Sequence, residues 1–267
     1  MKQSVLIVCV NYNSYEELKQ YLLSVDRAAN SNNNINVDVV VADNSTNMEN
    51  FDLSSFNSID VQIVRLNNPG YLGGAQQVIN NKTEILSYDY VAISNVDITL
   101  NEDFFMNLSS IEIDKDVAWI APKIYSECEN RDRNPKILSR YSKKILQFFY
   151  YMYKYPVLFY LYTITLYKRK KNQPKYPEMD IYAGHGSFML LTRSFFDSYK
   201  KIDYPVFLFG EELYMAELVR LAGKKVRYIP SLVIKDKEHA STSTLRKILF
   251  FQYNRESIKY CLEQFYK

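Results

Sequence analysis

Glycine is scarce in this chain of 267 residues, with seven in all, and so are cysteine, histidine and tryptophan, with three, two and one. The cysteines, Cys9, Cys128 and Cys261, fall at no CxxC or other metal-ligand spacing. They argue against a disulfide framework or a structural zinc and fit a reducing cytosol. Neither histidine sits in an HExxH-type pattern, and a lone histidine is more often structural than a ligand. A spanning helix needs about 20 apolar residues without charge, and no stretch provides them. The apolar run at residues 5–10 is too short for a signal-peptide core and reads as a buried strand, so the protein is expected to stay where it is made. With glycine this rare, each one is expected where backbone geometry demands it.

What the chain has in quantity is aromatic side chains, 24 Tyr and 15 Phe. Its 47% hydrophobic and 24% charged residues are ordinary for a globular protein, which sets aside a disordered chain and a polytopic membrane protein. The length suits one large domain, or one domain with an elaborated insertion. A net charge of +3 points to no partner, but its distribution is uneven. Residues 131–175 hold twelve Lys or Arg against a single acid, Asp132.

The first 120 residues alternate between strand and helix patterns. Apolar, β-rich runs at 5–10, 37–42, 61–66 and 90–94 end in polar residues at 11–14, 43–46, 67–74 and 95–97. Helical patterns cover residues 15–29 and run from Gly73 and Gly74 to about Leu86. Parallel sheets of βα units bind ligands at the carboxyl ends of their strands, so the four polar segments should gather on one edge. Sheet-like composition returns at 117–121 and 181–191, and residues 207–222 read as a loop and helix closed by Gly223.

Within the basic island, residues 145–167 include ten Phe or Tyr, flanked by Lys143 and Lys144 and by Lys168, Arg169, Lys170 and Lys171. Lys154 and Pro156 interrupt the run. Two short helices in the plane of an anionic membrane surface would explain tyrosine beside lysine. A helical hairpin packed on the domain or on a second copy is the alternative. No nucleic-acid motif accompanies the cations, so nucleic acid is not an expected partner.

Several constellations could carry chemistry. Asp43 follows the second strand, where nucleotide-binding α/β domains place a carboxylate for a base or ribose. Residues 67–77 place Gly70, Gly73 and Gly74 within five residues, enough for a backbone to approach a ligand closely, although the pattern is not GxGxxG. Asn95 and Asp97, two apart after a buried strand, can point to the same side. One Asp with a pyrophosphate suffices for a hard divalent cation. Glu211 and Glu212 open a helix-like segment after an apolar stretch, a setting that raises a carboxyl pKa toward general-base range.

In order and spacing across about 230 residues, these segments resemble inverting glycosyltransferase family 2, of the GT-A fold, and especially its rhamnosyltransferase-like and capsule or O-antigen members. The resemblance implies an α/β fold with a Rossmann-like, mostly parallel sheet and a basic aromatic helical insertion. It implies that Asn11, Tyr12, Asp43, Asn67, Gly70, Gly73, Gly74 and Asn95 hold the nucleotide. Asp97, at the last acid of a DxD-type motif, and His239 would hold Mn2+ or Mg2+. Glu212 would be the catalytic base, with Glu211 as the fallback, and Gly184, His185, Gly186 and Ser187 would line the donor sugar and acceptor. Asn95 replaces the first acid of the motif, Glu212 the usual Asp, and Tyr214 a later acid.

The implied activity is transfer of a sugar from a UDP- or dTDP-linked donor to a hydroxyl of a glycan acceptor, a polyprenyl-linked one in surface-polysaccharide biosynthesis. The implied location is the cytoplasm, peripheral on the inner face of the plasma membrane through residues 143–171. The chain divides into a nucleotide-sugar half (1–130), the insertion (131–175), an acceptor and catalytic half (176–244) and an amphipathic C-terminal helix (245–267). Oligomer formation is compatible with this reading. A catalytically silent nucleotide-binding or membrane-scaffold protein of the same fold is the alternative.

Overall fold

The computed structural model describes residues 2–32, 34–165, 175–237 and 247–267. β1 (Gln3–Asn11) and β2 (Ile35–Asp43) are the β-branched runs of strands buried on both faces, and they pair in parallel from Gln3 opposite Ile35 to Asn11 opposite Asp43. β3 (Asp60–Arg65) adds in parallel outside β2, and β4 (Tyr90–Asn95) adds in parallel on the far side of β1. The crossovers run through α1 (Tyr15–Asn30) and α2 (Tyr71–Asn81), which cover opposite faces. Val5, Ile7 and Cys9 join the apolar cluster that holds α1, while Leu6, Val8 and Val10 join the one that holds α2. This is the period of two of a strand between two layers.

Beyond β4 the sheet becomes mixed. β9 (Phe188–Thr192) runs antiparallel between β4 and β6 (Val117–Ser126), and β10 (Lys225–Asp236) runs parallel to β6. β5 (Ile98–Leu100) closes the edge on β10, giving the order β3-β2-β1-β4-β9-β6-β10-β5. Two short strands lie off this path, β7 (Arg131–Asp132) on β6 and β8 (Met179–Ile181) on β10. Small helices α3 (Phe104–Ser110) and α6 (Arg193–Ser198) fill in around the sheet. The polar ends of β1, β2, β3, β4, β6 and β10 therefore share one edge. β9 runs the other way, so the loop that leads into it arrives at that same edge.

The first seven residues of the basic island are tied to the sheet. β7 pairs with β6, Asn134 Nδ2 donates to the Pro122 carbonyl at 2.7 Å, and the Ile137 amide donates to Ala183 at 3.0 Å. The helical hairpin starts later, at α4 (Lys143–Lys154), which Ser142 caps by accepting from the Ile145 amide. Tyr155 separates α4 from α5 (Pro156–Thr165), which begins on a proline that no helix interior would accept. One face of this hairpin packs on α8 (Lys247–Phe265), with Tyr153 5.9 Å from Phe250 and Phe159 5.2 Å from Phe251 between ring centres. α8 in turn meets α7 (Glu211–Leu221) through Tyr260, 6.2 Å from Tyr214.

Two details differ from the sequence expectation. The helix after Gly74 stops at Asn81 rather than near Leu86, and a separate single turn covers Ile85–Ser87. The stretch 181–191 is two strands with the Gly184 to Ser187 loop between them, not one.

Candidate active site

The corner between β1 and β2 is a closed polar network. Asn11 and Asp43 are buried, and Asn11 Nδ2 donates to Asp43 Oδ1 and to Ser45 Oγ, each at 3.1 Å. The other Asp43 oxygen accepts from the Tyr15 hydroxyl at 2.7 Å, and Asn11 Oδ1 accepts from the Ser14 amide at 3.2 Å. These two side chains thus fix the turns that carry their exposed neighbours. The corner offers to solvent the ring of Tyr12, 42% exposed, beside the polar side chains of Asn13 and Thr46.

Asn67 is exposed at the end of β3, and the glycine loop follows it. Gly70 has φ +90°, and a Cβ there would stand 1.9 Å from the Phe207 carbonyl oxygen, so only glycine fits. Asn44 Nδ2 donates to the Gly70 carbonyl at 3.0 Å, and a Cβ on Gly74 would meet that same nitrogen at 3.1 Å. The glycines therefore bring α2 hard against β1, β2 and the 207 segment. This seats Tyr71, at the first turn of α2, with its hydroxyl donating to the Gly186 carbonyl at 2.7 Å. Burial, and then the negative charge of Glu211, Glu212 and Asp97, push the Tyr71 hydroxyl well above its ordinary pKa. Tyr71 is a site residue that the sequence did not single out.

Asp97 stands half-buried where β4 gives way to β5. Burial, and then the neighbouring Asp236 carboxylate, push its carboxyl up to about 6, against the opposing effect of a hydrogen bond from the Asn95 side chain. Asp236, at the end of β10, is itself bonded to Arg133 at 2.8 Å. A cation beside Asp97 would compensate this crowding of negative charge. The Asp97 carboxylate is a hard oxygen donor of the kind a divalent cation takes together with phosphate oxygens. No group of three or more His, Cys, Asp or Glu side chains gathers among the described residues. His239, the other expected metal ligand, lies outside the described residues. A cavity of about 160 Å³ opens against Asp97 between Glu16, Gln20 and Lys237.

The Gly184 to Ser187 loop enters from the opposite strand direction. Gly184 packs on the sheet, since a Cβ there would lie 2.7 Å from that of Ala121 and 3.1 Å from the Trp119 ring. The His185 amide donates to Asn134 Oδ1 at 2.8 Å. Burial, and then the charges of Lys136, Arg133 and Arg131, hold the His185 imidazole well below its ordinary pKa. It is neutral, and because its Nδ1 accepts from the Ser187 amide at 3.2 Å, the proton is assigned to Nε2.

The two acids that begin α7 occupy different places. The chain enters that helix through Phe209 at φ +68° and Gly210 at φ +79°, two left-handed residues in succession. A left-handed phenylalanine is strained, and here its carbonyl accepts from the Tyr204 hydroxyl at 2.6 Å while its ring packs on Phe250. Glu211 turns inward, 6% exposed, and burial and then Glu212 push its carboxyl up to about 8. Glu212 turns toward the site, its Oε1 accepting from the Gly186 amide at 3.2 Å. Tyr214 belongs to the packing beneath, exchanging hydrogen bonds with the Asp203 amide and carbonyl at 3.1 and 2.9 Å.

The structure thus brings Glu212, Gly186 and Tyr71 together with Glu211 buried behind them, and places Asp97 and Tyr12 just beyond the ends of the neighbouring strands β4 and β1 on the same edge. Sequence reading also missed Glu217 of α7, which is fully buried. It accepts from Arg140 and the Tyr182 hydroxyl at 2.6 Å and from Arg220 at 2.8 Å. Burial pushes its carboxyl up, but those hydrogen bonds outweigh burial and hold it below the ordinary value. An acid set among Met215, Ala216, Leu218 and Val219 was the available signal.

No family model and no curated protein matches the chain. Among solved structures it is similar to S. aureus TarS, with 12% identity over 91% of this chain and 37% of that one, at a TM-score of 0.52. It is also similar to GalNAc-T7, crystallised with UDP, GalNAc and Mn2+, with 11% identity over 98% of this chain and 49% of that one, at a TM-score of 0.60. The chain spans between a third and a half of the length of these proteins. At such identities the likeness is one of architecture: a mixed sheet whose parallel half is crossed by helices, flanked on both faces, which is the GT-A fold.

Proposed function

We propose that this chain is an inverting glycosyltransferase that moves a sugar from a nucleoside-diphosphate donor to a hydroxyl of a glycan acceptor. One observation carries the reading. At the edge where the parallel strands end, Glu212 accepts from Gly186, Gly186 accepts from Tyr71, and the Asn95 amide, two residues before Asp97, donates to the Ser187 carbonyl of the same loop at 2.9 Å. A base, a positioned backbone loop and a carboxylate suited to a cation are the parts a single displacement needs.

Glu212 takes the proton of the acceptor hydroxyl as its oxygen bonds to the anomeric carbon, while the bond to the nucleoside diphosphate breaks on the opposite face. Configuration inverts in that one step. Gly184, His185, Gly186 and Ser187 line the sugar, and the neutral imidazole of His185 offers an N–H donor to a hydroxyl. Tyr12 covers the nucleotide base, on turns held by Asn11 and Asp43, and the segment 67–74, a loop that runs into the first turn of α2, covers the same moiety. A divalent cation, Mn2+ or Mg2+, held by Asp97 and by His239, would supply charge compensation for the departing diphosphate. The finer assignment follows the family 2 resemblance: a UDP- or dTDP-linked hexose or deoxyhexose, and a polyprenyl-linked acceptor on the cytoplasmic side of the plasma membrane.

The test is thermal unfolding with UDP, dTDP, GDP and ADP, each with and without Mn2+, followed by turnover of the sugar conjugate of whichever nucleotide binds. A ligand at about 100 times its dissociation constant adds roughly 2.7 kcal/mol, a shift of several degrees for a chain of this size. A metal-enhanced shift with one base, and turnover lost in Glu212→Gln, is the expected result. No shift with any nucleotide and no turnover would overturn the proposal.

A further inference from the structure

We infer that the α4–α5 hairpin is a docking platform for an anionic lipid surface, lying in the interfacial plane of one leaflet. The inference does not depend on the transferase reading. α4 is apolar on two faces. Leu146, Phe149 and Tyr153 belong to the cluster that packs inward, and Met152 is buried. Ile145, Phe148, Tyr151 and Tyr155, at spacings of three, three and four, form a second stripe on the outside, and all four are exposed. Lys143, Lys144, Gln147 and Lys154 supply its polar side, and an apolar stripe beyond the packed face is ordinarily covered. Along α5, Val157, Leu161 and Ile164 continue an outer stripe at spacings of four and three, 70%, 54% and 64% exposed. Nine of the 17 exposed large apolar side chains among the described residues fall within residues 145–164. Ile248, 79% exposed, extends the surface one turn before Phe251, which packs on Tyr160.

Charge chooses the occupant. Lys143, Lys144 and Lys154 are exposed beside the stripes, and the sequence continues after the hairpin with Lys168, Arg169, Lys170 and Lys171. No Asp or Glu occurs from residue 133 to residue 177. A second copy of the chain would set these cations against their own kind, whereas anionic headgroups complement them and the leaflet accepts the apolar stripes between them. Tyrosine is the aromatic residue suited to that boundary. No helix among the described residues is long and apolar enough to cross a membrane, and contact within one leaflet needs none.

The test is flotation of the full chain with vesicles of phosphatidylcholine alone and of phosphatidylcholine mixed with phosphatidylglycerol. Binding to the anionic vesicles, falling with salt, is expected. Lys143→Gln with Lys144→Gln should weaken it about 30-fold, and Val157→Ser with Leu161→Ser and Ile164→Ser at least about 100-fold. All five side chains are exposed, so circular dichroism and Tm should match the parent and exclude misfolding as the cause of the loss. No binding to anionic vesicles, or binding unaffected by both sets of substitutions, overturns the inference. So does a dimer in light scattering that the apolar substitutions convert to monomer while vesicles go unbound, which would assign the face to self-association.

Discussion

The Gly186 amide donates to the Glu212 carboxylate at 3.2 Å, and a Cβ at Gly186 would stand 3.2 Å from the carboxyl carbon of that same glutamate. The position of the candidate base is thus set by a residue with no side chain, on a loop whose carbonyl is held in turn by Tyr71. Glu212→Gln keeps an oxygen for the Gly186 amide and loses only the basic site. We expect transfer to fall roughly 100- to 10,000-fold with the nucleotide-induced Tm shift intact, measured by product formation and thermal unfolding. Retention of most of the activity would move the base elsewhere.

Glu211 tests the electrostatics of the same turn. Its folded pKa of about 8 lies above the ordinary 4.5, so the fold favours the protonated carboxyl. Below pH 4.5 both folded and unfolded chains carry the proton. Between 4.5 and about 8 the unfolded chain loses it first, and stability declines across that window as pH rises. Glu211→Gln removes the titration, so its Tm should vary less with pH and exceed the parent's by several degrees at pH 8, followed by circular dichroism. Parallel curves for the two proteins would mean that Glu211 is ionised in the folded state.

Asp97→Asn separates cation from nucleotide. The part of the nucleotide-induced Tm rise that depends on Mn2+ should disappear in the variant, and the part that survives EDTA should remain. An unchanged Mn2+ increment would place the cation on other residues.

The buried Glu217 predicts a stability effect remote from the chemistry. Arg140→Met leaves that carboxylate with Arg220 and Tyr182 alone and should cost about 3 kcal/mol. That is a fall in Tm of roughly 6 to 12 °C. Because the folded pKa of Glu217 is depressed, its contribution holds above pH 4.5 and is lost as pH falls through the folded value, so the variant's deficit should shrink in acid. A deficit independent of pH would point to lost packing of Arg140 over the Tyr266 ring, 3.9 Å away.

The parallel half of the sheet was legible because its strands are buried on both faces, which leaves continuous apolar runs ending in polar residues. β10 escaped notice because Pro230 interrupts it. The register shifts between Ile229 and Val233, a bulge that lets a proline sit inside a long strand. The acids at the site could be listed from sequence, but not which of Glu211 and Glu212 faces it, since that depends on two left-handed residues at 209 and 210. Charge counting placed Arg140 in a basic island, and the structure makes it the counter-ion of a buried acid. Composition does not distinguish the two, because pairing is a property of the folded chain.

Arg140 has one more consequence. It sits two residues before the cap of α4, grips Glu217 of α7, and donates to the Phe265 carbonyl near the end of α8 at 3.0 Å. The root of the hairpin and the helix that bears Glu212 are therefore bolted together five residues from that glutamate. If the hairpin rests on a leaflet and Glu212 is the base of the proposed transfer, the height of that carboxylate above the headgroups is fixed by the protein like the setting of a gauge. Acceptors would then be chosen by how far their hydroxyl stands off the membrane as well as by which sugar carries it.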